Sequence, residues 1–138
     1  MQTVAEIMAT NVISLKESDN VHQARMLMKK YSIRHIPIVD DQKHFVGLLT
    51  QRDLLNHAFK IVENYGFSKL AQREERTQIS DVMTRDCMTL RSDSTLRSAG
   101  EFFITHKHGS IPIVNDGRLV GILTSIDFIK LAMQFLKD

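Results

Sequence analysis

The amino-acid sequence contains an internal duplication that covers nearly all of it. Ile7-Met8, Val12-Ile13-Ser14-Leu15, Ala24, Ile36-Pro37-Ile38-Val39, Gly47-Leu48-Leu49-Thr50 and Asp53 return as Val82-Met83, Cys87-Met88-Thr89-Leu90, Ala99, Ile111-Pro112-Ile113-Val114, Gly121-Ile122-Leu123-Thr124 and Asp127. The offset is 75 residues at Met8/Met83 and Pro37/Pro112 and 74 at Gly47/Gly121, so one residue is lost in the turn between the last two apolar runs. A repeat this regular restricts the fold to two similar units related by a pseudo-two-fold axis. Any site built by one copy should recur in the other. Half of a 138-residue chain with 43% hydrophobic content is marginal by itself. The two units are therefore expected to share a single cooperative core.

Charge excludes more than it suggests. The 18 basic and 16 acidic residues are mixed along the chain, with no basic stripe and no interleaved aromatics, so nucleic acid is not an expected partner. Residues 1–10 lack the basic start and apolar core of a signal peptide, and Asp127 and Lys130 interrupt the apolar C-terminal stretch. Neither a secreted chain nor a membrane span is expected, and the cytoplasm is the default location. The single cysteine, Cys87, excludes an internal disulfide and reads as a structural thiol in a strand.

Each copy changes period in the same order. Val12–Leu15 is a short β-branched run; Val21, Ala24, Leu27, Met28 and Tyr31 then recur at helical spacing behind Asn20 and Gln23, a capping box. Ile36–Val39 and 45–49 read as strands joined by the polar turn 40–44, and Leu54, Leu55, Ala58, Phe59 and Val62 form a second helical face. The second copy repeats the scheme, with the tight turn Asn115-Asp116-Gly117-Arg118, in which the glycine takes a positive φ. The fold class is α+β with α/β-like repeats, each strand, helix, strand, strand, helix. Residues 1–66 form the first repeat, 67–78 a charged, solvated connector and 79–138 the second repeat, together one compact module. The last helix is apolar around more of its circumference than one core face needs. Its residues Phe128, Leu131, Phe135 and Leu136 suggest a second buried surface in a homodimer, with a fully buried core helix as the competing explanation.

The residues that carry chemistry are Gly47, Thr50 and Asp53, with Gly121, Thr124 and Asp127 in the second copy. A threonine at a strand-to-helix junction, with a carboxylate three residues on, offers a phosphate the free N–H groups of a helix N-terminus and a hydroxyl. The carboxylate can accept two hydrogen bonds from a ribose cis-diol. The plainer alternative is a capping box. Recurrence of the motif beside Arg34-His35-Ile36-Pro37 and Gly109-Ser110-Ile111-Pro112 weighs toward a site.

These residues and the order of elements resemble the CBS domain family, named after cystathionine β-synthase, in its tandem form, from about Val4 to Ile129. More loosely, the layout is similar to stand-alone, acetoin-utilisation-like proteins, a likeness from which no pathway is taken. The resemblance implies a sensing module without catalysis, commonly dimeric, whose clefts between the repeats bind AMP, ADP, ATP or S-adenosylmethionine. By the same resemblance Asp53 and Asp127 bind ribose, and Thr50 and Thr124 lie near the phosphate. Asn11 and Val12, with Asp86 and Cys87, start the first strand of each copy and hold the base by backbone contacts; Ile36 and Pro37, with Ile111 and Pro112, lie on the opposing strand. Arg34 and His35 can reach phosphates. Ser110 and Gly109 lack that charge, for which His106, Lys107 and His108 could compensate, so the two sites should differ. No catalytic residue, metal or resident cofactor is expected: His106 and His108 lack further ligands, and no nucleophile motif is present. The partners expected are an adenosyl ligand, a second copy and an effector protein. The alternative, from a different class, is a ligand-free dimerisation or interaction module whose Thr-x-x-Asp motifs are helix caps only.

Overall fold

The computed structural model describes residues 2–107 and 109–137. In the first repeat β1 (Leu15–Lys16), α1 (Val21–Tyr31), β2 (His35–Val39), β3 (Phe45–Thr50) and α2 (Gln51–Tyr65) follow in the expected order. The capping box at α1 is reciprocal: the Gln23 N–H donates to Asn20 Oδ1 at 2.8 Å, and the Asn20 N–H donates to Gln23 Oε1 at 2.8 Å. Helix α1 buries Val21, Ala24 and Met28 and stops at Ser32, whose φ of 54° is left-handed. β2 and β3 run antiparallel from His35↔Thr50 to Val39↔Phe45, and β1 adds to β2 in parallel through Leu15↔Ile38 and Lys16↔Val39.

After α3 (Leu70–Arg76), the second repeat supplies α4 (Leu96–His106), β4 (Ser110–Asn115), β5 (Arg118–Thr124) and α5 (Ser125–Met133). The expected strand at 87–90 is reduced to one parallel bridge, Leu90 to Ile113, so β4 and β5 form a two-stranded sheet. Cys87 accordingly lies outside any strand. The β4–β5 turn is as tight as its sequence implies. Asn115 pairs with Arg118, while Asp116 at φ 51° and Gly117 at φ 84° are both left-handed.

The chain forms two compact units, and each has its own cluster of buried apolar residues. The first is Ile13–Cys87; the second joins Met1–Val12 to Met88–Asp138. The short 3₁₀ turn Val4–Glu6 thus packs with the second repeat and its equivalent, Ile79–Asp81, with the first. Val4 is fully buried beside Leu96, Phe102, Ile111 and Leu123, and Ile79 beside Val21, Ile36, Leu49 and Leu54. A one-dimensional repeat does not reveal this exchange, because each turn carries the same apolar signature.

Three further expectations are corrected. On α2 only Leu54 and Ile61 are buried, while Leu55, Phe59 and Val62 face solvent. On α5, Phe128 and Leu131 pack against their own core, and the exposed apolar residues are Ile126, Ile129 and Met133, followed by Phe135 and Leu136. No α5 residue is fully buried, which sets aside the buried-core-helix explanation. The charged stretch read as a solvated connector contains Glu74, only 1% exposed. Its two oxygens accept from Arg25 Nε at 2.7 Å and Nη2 at 2.6 Å, a bidentate pair that ties α3 to α1.

Removing one partner of a buried pair strands the other, so Arg25→Ala should destabilise the chain. Because the Arg25 side chain is 39% exposed, the expected loss is about 2 kcal/mol, below the range for a fully buried pair. Denaturant unfolding should show most of it restored in Arg25→Leu/Glu74→Leu; an unchanged midpoint in Arg25→Ala would mean the pair is not structural.

Candidate functional site

In the first unit the site is built at the junction of β3 and α2. Thr50 has an extended φ of −108° and is the N-cap of α2. Its Oγ1 accepts the Asp53 N–H at 3.1 Å, while Asp53 Oδ2 accepts the Thr50 N–H at 2.9 Å. Sheet pairing sets His35 opposite Thr50, and the Gln51 N–H donates to the Arg34 carbonyl at 2.8 Å. Arg34 and His35 therefore flank the helix N-terminus. Arg34 is exposed and has no ion pair among the described residues. Ile36 and Pro37 are buried beneath them and pack the strand instead of presenting side chains.

The second unit repeats this geometry with different side chains. Ser110 pairs with Thr124, the Ser125 N–H donates to the Gly109 carbonyl at 3.4 Å, and Ile111 and Pro112 are buried. Asp127 Oδ2 accepts the Thr124 N–H at 2.8 Å and the Thr124 hydroxyl at 3.3 Å. Ser110 is 5% exposed, and its hydroxyl has no hydrogen-bond partner among the described residues. That is unusual for a buried polar atom. His106 and Lys107 are exposed at the end of α4; His108 lies outside the described residues.

The exchange of segments changes which chain start serves which site. Leu48 on β3 pairs through both backbone groups with Thr84, at 2.8 and 2.9 Å, so Asp86 and Cys87 belong to the unit of Asp53. Ile122 on β5 pairs likewise with Ala9, at 2.9 Å in both directions, so Asn11 and Val12 belong to the unit of Asp127. Chain order alone does not reveal this, since each pair starts the strand of one copy and packs in the unit of the other. The pairing also brings in a residue that sequence reasoning missed. The Thr84 hydroxyl donates to Asp53 Oδ1 at 3.2 Å and to Oδ2 at 3.4 Å. Ala9, at the matching position, has no hydroxyl, and among the described residues Asp127 Oδ1 accepts no hydrogen bond. The signal for Thr84 was its place after the Val82-Met83 start motif, but nothing in the sequence says that this motif packs on the other copy.

Both sites depend on a glycine for close approach. A Cβ on Gly47 would stand 2.9 Å from the Thr84 carbonyl oxygen, and one on Gly121 would stand 2.9 Å from that of Ala9. Cys87 is half-buried, and burial, then the Asp86 charge, push its thiol above the usual cysteine range. No group of three or more His, Cys, Asp or Glu residues able to hold a metal ion occurs among the described residues. Nor is any helix among them long and apolar enough to cross a membrane.

Paired sheets with capped helices, repeated twice, define a tandem α+β repeat module. The CBS domain family matches residues 4–60 and 79–134, and the chain belongs to that family. Among solved structures it is similar to a protein described as an acetoin utilization protein (AcuB) from Vibrio cholerae, with a TM-score of 0.82 and 32% identity, covering 98% of this chain and 93% of that one. It is also similar to CBSX2 in complex with AMP, with a TM-score of 0.79, 27% identity and 98% of each chain covered. The CBS domain pair of protein MJ0100, in complex with 5′-methylthioadenosine and S-adenosyl-L-methionine, has a TM-score of 0.76 and 26% identity, with 99% of each chain covered. The chain spans less than half the length of the curated relatives it matches: 42% of the uncharacterized protein MJ1225 of Methanocaldococcus jannaschii, at 32% identity over 94% of this chain.

The raised Cys87 pKa has a definite sign. Its thiolate should appear only at higher pH than in free cysteine, so the pH profile of iodoacetamide alkylation should have its midpoint above about 8.5. A midpoint at or below that of free cysteine would contradict the burial of the thiol.

Proposed function

We propose that this CBS pair is a regulatory module that binds adenosyl ligands at Thr50/Asp53 and at Thr124/Asp127 and performs no bond-making or bond-breaking chemistry. The observation that carries the reading is the pair of cap carboxylates, each fixed at a helix N-terminus. Among the described residues Asp127 Oδ1 accepts no hydrogen bond, and the buried Ser110 hydroxyl of the same unit has no partner. AMP in CBSX2 and S-adenosylmethionine in the MJ0100 pair support the ligand class.

Within this reading the two sites divide the ligand's chemistry. Arg34 and His35 favour phosphates at the first site, where Asp53 already accepts from Thr84. At the second, Gly109 and Ser110 carry no charge while the carboxylate is less engaged. Asn11 and Val12, with Asp86 and Cys87, take the base edge through backbone groups. Occupancy passes to an effector protein or to the module's own assembly, in the cytoplasm.

Calorimetric titration tests the assignment. A lost hydrogen bond to a carboxylate is worth roughly 1 to 3 kcal/mol, so 2′-deoxy-AMP should bind more weakly than AMP by that amount. Asp53→Ala should reduce the response to ADP or ATP more than Asp127→Ala does, and Asp127→Ala should cost more of the binding of adenosine, which has no phosphate. Unchanged affinities in both variants would return the motifs to helix caps, the alternative that their reciprocal hydrogen bonds already satisfy.

The same reading assigns Ile126, Ile129 and Met133 of α5, each more than half exposed, to contact with a second copy. Light scattering at micromolar concentration should report a dimer, and Ile129→Asp should shift it to monomer. A monomeric wild type would remove the homodimer from the proposal.

A further inference from the structure

Helix α3 (Leu70–Arg76) is anchored in the first unit by a charge instead of by apolar burial. A helix of 7 residues is marginal by itself in water, so this one depends on what it docks against. Glu74 is its only buried residue. Leu70 is half-buried, and the other five side chains are exposed. Two contacts tie α3 to neighbouring helices: the bidentate bond from Arg25 of α1 to Glu74, and Arg73 stacked on the Tyr65 ring of α2, 3.5 Å from its centroid.

The two ends of this segment differ. Before it, Gly66 has a φ of 87° and nothing within 4 Å of where a Cβ would stand, so the chain leaves α2 through an open hinge. After it, the Thr77 carbonyl accepts the Val21 N–H at 2.9 Å and Ile79 is fully buried. Residues 67–76 therefore lie between a hinge and a fixed end, with little apolar surface to hold them down.

The charges of the anchor act on His57 of α2. Burial pushes the His57 imidazole below the usual histidine range. The charges around it act in both directions: Glu74 of α3 and Asp81 of the following 3₁₀ turn favour its cation, while Lys60 of α2 and Arg25 of α1 oppose it. Its Nδ1 is buried with no hydrogen-bond partner, as is that of His22, one helical turn before Arg25 on α1. Glu74 already spends both oxygens on Arg25, so an imidazolium at His57 would bury a charged N–H without an acceptor. The duplication shows that the repeat needs neither partner. Arg25 corresponds to Gly100 by the 75-residue offset, and His57 to Leu131 by the 74-residue offset; Leu131 packs against the core of its unit.

We propose that α3 is a proton-sensitive strap: the Arg25–Glu74 pair holds it against α1 at neutral pH, and protonation of His57 releases it between Gly66 and Thr77 while the core of the first unit stays folded. Undocking lets water reach the imidazole, so the undocked state binds the proton at higher pH than the docked one. Docking is therefore complete above about pH 6.5 and is lost as the pH falls below it.

Hydrogen–deuterium exchange of the whole chain, corrected for intrinsic rates, tests this between about pH 7.5 and about pH 5.5. Protection of the α3 amides should fall by at least about threefold on acidification, while the amides of α1 and β2 keep theirs. His57→Leu, which copies Leu131, should hold α3 protected at both pH values. Should that variant not fold, His57→Gln, neutral throughout, should do the same. Unchanged α3 protection in the wild-type chain at the lower pH would overturn the strap. So would an equal loss across α1, which would mean that the unit opens as a whole. An acid response that persists in a folded His57 variant, or that disappears in His22→Gln, would place the proton elsewhere and overturn it too.

Discussion

Two backbone pairings, Leu48 with Thr84 and Ile122 with Ala9, hold each unit to a segment that chain order would assign to the other repeat. Each crosses a glycine, where a side chain would stand 2.9 Å from a carbonyl oxygen. The constraint is close approach, since neither Gly47 nor Gly121 has a positive φ. Both the cores and the candidate sites depend on these contacts. They seat Val4 and Ile79 in their cores, where burial of a residue of that size contributes roughly 1.5 to 3 kcal/mol. They also set Thr84 against Asp53 and carry the backbones after Thr84 and Ala9 into the two site-bearing units.

A duplicated scaffold held this way lets its copies diverge without losing the fold. Caps, strand pairing and buried Ile-Pro-Ile segments are common to both units. Differences fall at positions the scaffold does not need: Arg34 against Gly109, His35 against Ser110, Thr84 against Ala9, Arg52 against Ile126. Each alters charge or hydrogen bonding at one helix N-terminus or one helix face. Similar backbones thus carry two chemically different surfaces, one cationic and one apolar.

Local structure was legible because its determinants are local. The Asn20/Gln23 box, the helix caps at Thr50 and Thr124 and the left-handed Gly117 are each set by residues within a few positions of one another. What was not legible depends on pairing across long separations. Either copy's start motif suits either strand, so the exchange, and Thr84 beside Asp53, were hidden. A lone glutamate in a charged stretch looks solvated until Arg25, 49 residues earlier, is brought to it. Phe128 and Leu131 looked like surplus surface because helical spacing counts apolar residues without saying how wide the face beneath them is. Where the site residues are concerned, sequence placed the carboxylates and threonines at their helix starts and Asn11, Val12, Asp86 and Cys87 at the start of each copy, but not which of these segments packs with which carboxylate.

The Thr84 hydroxyl gives the two proposed sites different consequences on occupancy. A ligand shifts an equilibrium only by as much as its affinity differs between the two states. On the proposed reading, a ribose hydroxyl at Asp53 would meet a carboxylate that already accepts from Thr84, and a ligand that displaced Thr84 would exchange an internal hydrogen bond for an external one. Thr84 is tied by its backbone to Leu48 and leads directly into Arg85, which pairs with Glu17 at 2.7 Å, and then to Cys87. The segment from Thr84 to Cys87 is therefore the part of the first unit that has a contact to lose when Asp53 is engaged. At Asp127 the position matching Thr84 is Ala9, so on the same reading a ligand using Oδ1 would displace no counterpart of Thr84, while the Thr124 hydroxyl stays on Oδ2. On the proposed reading, occupancy at Asp53 would be coupled to the Thr84 contact and occupancy at Asp127 would not.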